Sequence, residues 1–320
     1  MRRAAVVTYI SVPPIRKYSY LSTSKTLFMF TRISLFLACA TLALISCKKD
    51  PDPVDPVTPV PAARIYFTFK FDSTQARLDN FGNPETVPAG NGAQSPVFHF
   101  MSTHYIEMTA DMWTALGSGT VVYTGPSTTA GGPNAINFDS AIVVGENQEI
   151  VSMPLSAFTP GTYNYIRVSL SYQNYDVKVR ANSIDFTGRL ASFIGYNTYI
   201  SSFTPNAVPV AVNDDKLQGF WAFEAFSQVT LGQAPPGATT VPNPLFATSP
   251  IPQGSCVVTG QFAAPLTITG NETQDIHVVI SLSTNNSFEW VEHSTPGIYE
   301  PLNGDTVVDM GVRGLVPIVQ

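Results

Sequence analysis

The sequence is most informative first in what it lacks. Charged residues make up only 12% of the 320, and there are just 4 histidines and 3 cysteines. That is about half the usual charged share of a soluble protein. Two of the cysteines, Cys39 and Cys47, lie in or at the end of an apolar N-terminal run, so the body holds Cys256 alone. An internal disulfide and a CxxC-type zinc site are thereby excluded. GxSxG, HExxH, Walker A and GxGxxG patterns are absent, so no cofactor, no metal and no catalytic set is predicted. Lys/Arg clusters are missing too. All 23 acidic residues follow Cys47 and six of the 17 basic ones precede it, leaving 11 − 23 = −12 on the part after Cys47. Phosphate neutralisation needs basic clusters, so nucleic acid is excluded as a partner.

What is present begins with "ISLFLACATLALI", residues 33–45. This run is too short to span a bilayer, which takes about 20 residues, but it suits the core of a signal peptide flanked by Arg32 and Ser46. Leu44-Ile45-Ser46-Cys47 resembles the lipobox of bacterial lipoproteins. The resemblance implies cleavage before Cys47, thioether-linked diacylglycerol and an amide-linked acyl chain on that cysteine, and a signal peptide over 1–46. Two or more chains anchor stably where one is marginal. The stretch from Met29 is a complete signal by itself, so we expect translation to start there. Residues 47–63 then read as a tether. Prolines at 51, 53, 56, 59 and 61 exclude helix and central strand, and an extended chain of this kind reaches about 50 Å. Lysines directly after Cys47 resemble outer-membrane sorting in Gram-negative lipoproteins, on the surface or the periplasmic side.

From Arg64 the period is two. "RIYFTFKF" places Ile65, Phe67, Phe69 and Phe71 on one face, as a half-buried strand requires. Many such segments, separated by polar turns, predict an all-β fold of antiparallel β-sandwich modules over 64–183 and 184–320, or one merged unit. Only "STHYIEMTADMWTALGSG", residues 102–119, reads as a helix ended by Gly117. The proline-rich, uncharged stretch 232–254 reads as a long loop. "FTPGTYNYIRVSLSY" resembles the Pro-Gly-x-Tyr strand entry of immunoglobulin- or prealbumin-like surface modules. That resemblance implies a tight turn at Gly161 and a corner closed by Tyr163.

Several residue sets could carry chemistry. Tyr163, Tyr165 and Arg167 alternate with Ile166 and Val168, and form the candidate ligand-binding stripe; flat rings suit the apolar C–H faces of sugars. Tyr196, Tyr199, Trp221 and Trp290 are further aromatic candidates, against the simpler reading of cross-strand or core packing. His104, Glu107 and Asp111 would share a helix face, with His99 nearby, as a possible cation set. The acidic turns "VNDDK" and "TGNETQD" could offer oxygen ligands without a regular spacing. Glu224, Glu289 and Glu292 sit on aromatic strands and could serve acid/base chemistry, or simply face outward. His277 reads as a surface strand residue and Cys256 as a small buried one. Asp72-Ser73-Thr74, Asp139-Ser140-Ala141 and Asp305-Thr306-Val307 resemble acceptors of a bacterial O-glycosylation system. The expectation is a lipid-anchored outer-membrane or cell-surface protein with a binding or structural role toward glycan or protein. The alternatives are a surface carbohydrate-active hydrolase or an accessory subunit of an envelope complex.

Overall fold

The computed structural model describes residues 62–234, 255–312 and 314–320. Met29, Cys47, the tether through Pro61 and most of the 232–254 stretch lie outside them. The described residues belong to one compact unit and form nineteen strands. Among them there is no α-helix, and the helical pieces are three-residue 3-10 turns.

A central eight-stranded sheet runs β14 (Gln228–Gln233), β13 (Phe220–Ala225), β10 (Ile184–Phe193), β9 (Gly161–Ala181), β3 (Val97–Thr109) and β4 (Thr120–Thr124), with β15 (Cys256–Ile268) on β9 and β7 (Val143–Val144) on β3. Three smaller sheets lie against it. One is β19 (Leu315–Val319), β16 (Ile276–Ser283), β1 (Arg64–Asp72) and β8 (Glu149–Pro154). Another is β12 (Val210–Leu217), β11 (Asn197–Phe203), β6 (Ala135–Asn137) and β5 (Ser127–Thr128). The last is β18 (Thr306–Met310), β17 (Phe288–Val291) and β2 (Asn91–Gln94). The chain is thus all-β, with largely antiparallel sheets packed as a sandwich; β1–β16 and β6–β11 are the parallel pairs. The alternation read in β1 holds, with Ile65, Phe67 and Phe69 fully buried.

β9 organises the whole. One of its edges pairs with β15 as far as Leu170 and with β10 from Tyr172, while its other edge pairs with β3. Ile166, Val168 and Leu170 join Phe67, Phe69 and Ile280 in the largest core. Tyr172 joins Phe193, Phe220 and Ile200 in a second core, and Tyr175, Val177 and Val179 join Phe288 and Trp290 in a third.

Two expectations are corrected here. The helix over 102–119 does not form: its first half is the end of β3 and the rest is turn. Residues 101–109 are buried without interruption, because β3 is covered on both faces, and such a strand shows no period of two. Bulges at 98/100, 102/103 and 103/105 disturb the alternation further. The boundary at 183/184 falls on the turn of a hairpin, at Asn182 (φ 50°) and Ser183 (φ 62°). β9 and β10 pair continuously across it, and β1 pairs with β16. Segments 64–183 and 184–320 therefore share sheets as one merged unit, because a polar two-residue turn marks a hairpin as readily as a linker.

The Tyr163 hydroxyl donates to the Thr159 carbonyl and lies 2.7 Å from Thr120 Oγ1, closing the expected corner. Gly161 is not among the residues of positive φ, so this turn does not depend on glycine.

The fold has two distinguishable ends. The described chain enters at Arg64, whose amide donates to Asp275 Oδ1 at 2.8 Å and whose register partner is Pro154. Short connections lead from Pro154 to Gly161 and from Ile268, paired with Gly161, to Asp275; they meet where Gly270 approaches Ser156 and Pro160. Entry is therefore at the Gly161 end of β9. Ala181 and the β9–β10 turn lie at the other end of its 21 residues, about 65 Å of strand away.

Candidate functional site

The end of β9 remote from Arg64 carries two concavities, on opposite faces of the same three strands. Along β9, Asp176 alternates with Val177; along β10, Arg189 alternates with Leu190; along β13, Glu224 alternates with Phe223. Strand geometry sends each pair to opposite sides.

The apolar side opens into a cleft of about 430 Å³ between the central sheet and the β17–β18 sheet, within the range of small-molecule sites. Val177, Leu190, Trp221 and Phe223 form its floor, and Phe288, Val307 and Met310 face them. The two floor aromatics lie against glycines. A Cβ on Gly188 would meet the Phe223 ring at 2.1 Å, and one on Gly232 would meet Trp221 at 2.2 Å. Only glycine lets these rings lie along the sheet. The wall at 292–305 is fixed by its own carboxylates. Asp305 accepts from the amides of His293 (2.8 Å) and Glu300 (2.7 Å), Glu300 accepts from Thr295 (3.0 Å), and Glu292 accepts from Trp290 Nε1 (3.1 Å). Asp305 borders the cleft with its oxygens thus engaged, and the other polar lining groups, Thr230, Gln233 and Thr306, are uncharged.

The polar side holds a pocket of about 280 Å³. Asp176, Arg189 and Glu224 are in register across β9, β10 and β13. Arg189 Nε donates to Asp176 Oδ1 at 2.5 Å and its Nη1 to Asn174 Oδ1 at 3.2 Å, while His99 Nε2 lies 2.9 Å from Asp176 Oδ2. Burial opposes ionisation of Asp176, but the hydrogen bonds from Arg189 and His99 outweigh it and hold the carboxyl below its usual range. Glu224, 4% exposed, accepts three successive backbone amides, from Asn206 (2.9 Å), Ala207 (3.0 Å) and Val208 (3.2 Å). This cradle fixes the loop between β11 and β12 at the pocket wall.

The residues picked from sequence are placed otherwise. Tyr163, Tyr165 and Arg167 do alternate with Ile166 and Val168, but Tyr163 and Arg167 are buried and Tyr165 is half-buried. Arg167 pairs with buried Glu107 at 3.1 Å and donates to the carbonyls of Thr114 and Ala115; Glu107 accepts from the amides of Gly117 (3.0 Å) and Gly119 (2.6 Å). Together they pin the 110–119 turns, and burial lowers the Arg167 pKa. Among the described residues no three His, Cys, Asp or Glu side chains converge as metal ligands. His99 belongs to Asp176, and Asp111 accepts from the Trp113 amide at 2.8 Å. His104 is enclosed 3.4 Å from Ser169 Oγ and 5.4 Å from the Tyr196 ring. Burial pushes its pKa down to about 4.

Glu289 is buried against Arg77 and Asn91. His277 is exposed and stacked on Tyr66 at 4.9 Å. Trp290 is fully buried beneath the cleft, Trp221 lines it, and Tyr199 is half-buried in β11. Cys256 is buried, and desolvation, with Asp309 adding, pushes its thiol up to about 12. In the acidic turns, Asp214 pairs with Lys216 at 2.9 Å and Glu272 accepts from the Thr269 and Gly270 amides. Ser73, Ser140 and Thr306 of the three Asp-led triplets are exposed. Sequence reasoning missed Asp176, Arg189 and Phe223, whose one signal was the charged–apolar alternation. In comparisons with known proteins, the chain matches no family model, no curated protein and no solved structure.

Proposed function

We propose that this is a lipid-anchored envelope protein, held to the outer membrane through Cys47, that binds an uncharged ligand with apolar faces in the cleft between β13 and β18. The observation that carries the reading is the cleft itself: Trp221 and Phe223 are laid flat by Gly232 and Gly188, with Thr230, Gln233 and Thr306 as uncharged hydrogen-bonding groups. Concave, apolar sites with a few placed polar groups are where small molecules bind. Its position supports the reading as well. The cleft lies at the end of β9 away from Arg64, so a tether arriving there leaves the cleft facing outward. The candidate carboxylates Glu107, Glu224 and Glu289 are each engaged in structural hydrogen bonds or ion pairs, which favours binding over hydrolysis.

The test has two parts. Cys47→Ser moves the protein from the membrane fraction to the soluble fraction. An environment-sensitive naphthalene dye binds the full-length protein in detergent-free buffer after that substitution, and Trp221→Ala weakens the binding at least tenfold. Dye binding that ignores Trp221, or membrane retention without Cys47, overturns the corresponding half.

A further inference from the structure

The pocket on the opposite face has its own chemistry, and it depends neither on the lipid anchor nor on the apolar cleft. We infer that it is a saccharide subsite, taking an uncharged sugar through a vicinal diol.

Its polar groups are planar and fixed before any ligand arrives. Arg189 and Asp176 hold one another at 2.5 Å, and His99 and Asn174 hold them from the sides. Paired donors on a guanidinium and paired acceptors on a carboxylate match two adjacent hydroxyls, which each donate and accept. Thr187 and Asn206 also line the pocket, and among the described residues neither side chain makes a hydrogen bond. Glu224 acts as a positioning residue: its three backbone hydrogen bonds lock the loop that carries Asn206. A preorganised polar array loses little entropy on binding, the usual cost of a hydroxyl-rich ligand.

Phe226 supplies the remaining element. It stands at the rim, 77% exposed, with its ring tilted against Phe186 at 5.0 Å. Its φ is 53°, in a two-residue turn with Ser227 at 59°. A bulky side chain at such a φ is strained, and solvent is an unfavourable place for a ring. A ring held there beside a polar pocket offers a face to the C–H side of a sugar. The sign of the charge narrows the class. Two carboxylates and one guanidinium line the pocket, so sialylated or sulfated sugars meet net negative charge and neutral ones do not.

The experiment is a glycan array probed with the full-length protein, its hits followed by calorimetry with the same glycans. Neutral glycans are expected to bind, with affinity falling at least tenfold in Asn206→Ala and in Phe226→Gly. Glycine relieves the positive φ, so Phe226→Gly should melt no lower than the parent, and its lost binding cannot be put down to misfolding. Trp221→Ala, on the other face, should change sugar affinity less than twofold. The inference is overturned if the folded protein binds no neutral glycan, if it binds only acidic ones, or if both pocket variants retain affinity within twofold.

Discussion

The two faces of β9, β10 and β13 at the end away from Arg64 are made from adjacent residues, yet they are held by different physics. On one side Val177, Leu190 and Phe223 gain from leaving water, a gain indifferent to direction and proportional to area. On the other, Asp176, Arg189 and Glu224 are kept by bonds with fixed geometry. The lesson is that a single sheet can separate two solvation regimes by the thickness of one backbone, provided each polar group finds a partner in its own layer. Asp176 finds Arg189, and Glu224 finds the 206–208 amides.

The strongest way to break the contrast is on the apolar side. Trp290→Ala empties a fully buried site beneath the cleft and should cost about 3–5 kcal/mol, read from urea unfolding. A buried polar group lacking a full set of partners should come next. His104 is enclosed, and its Nε2 has no partner among the described residues. Its folded pKa of about 4 lies below the ordinary value of 6.5. The unfolded chain therefore takes up a proton first as pH falls, and stability fully present above pH 6.5 is lost down to about pH 4. The loss is about 3 kcal/mol, and His104→Phe should flatten the slope of unfolding free energy against pH in that window. On the polar side, Arg189→Met leaves Asp176 with His99 alone and should cost about 1–2 kcal/mol. Because the pair is partly exposed, added salt should shrink that difference, whereas the Trp290 effect should not respond to salt. The smallest effect has the opposite sign: Phe226→Gly should stabilise by up to about 1 kcal/mol, seen as an unchanged or raised melting temperature.

How far the sequence disclosed this structure follows from where each strand sits. β1 and β13 are covered unevenly, so their alternation was visible and the all-β class with it. β3 is covered on both faces and bulged around His104, so its polar letters passed for a helix. β11 and β12, with "SSF" and "VNDD" in them, carry too much polar character to read as strands; their burial against Tyr172 and Phe193 comes only from the tertiary fold. The site was half legible. The pairs 176/177, 189/190 and 223/224 announce two faces, but only the register sets Asp176, Arg189 and Glu224 in one row. The cradle at 206–208 had no sequence signal, because its partner Glu224 lies many residues further on. Arg167 shows the reverse: alternation placed it on the correct side, while the turns folding over that side could not be foreseen.

β9 is a member of all three principal cores in turn, and this has a mechanical meaning. A pull applied where the chain enters at Arg64 bears on the parallel β1–β16 pair, loaded in shear, before it reaches the strand that ties the sheets together. No layer can peel away while β9 stays seated, since every layer is stitched to it. A protein hung from a membrane by one end is thus built so that load arriving at the tether is spread across the whole fold, leaving both pockets at the far end undistorted.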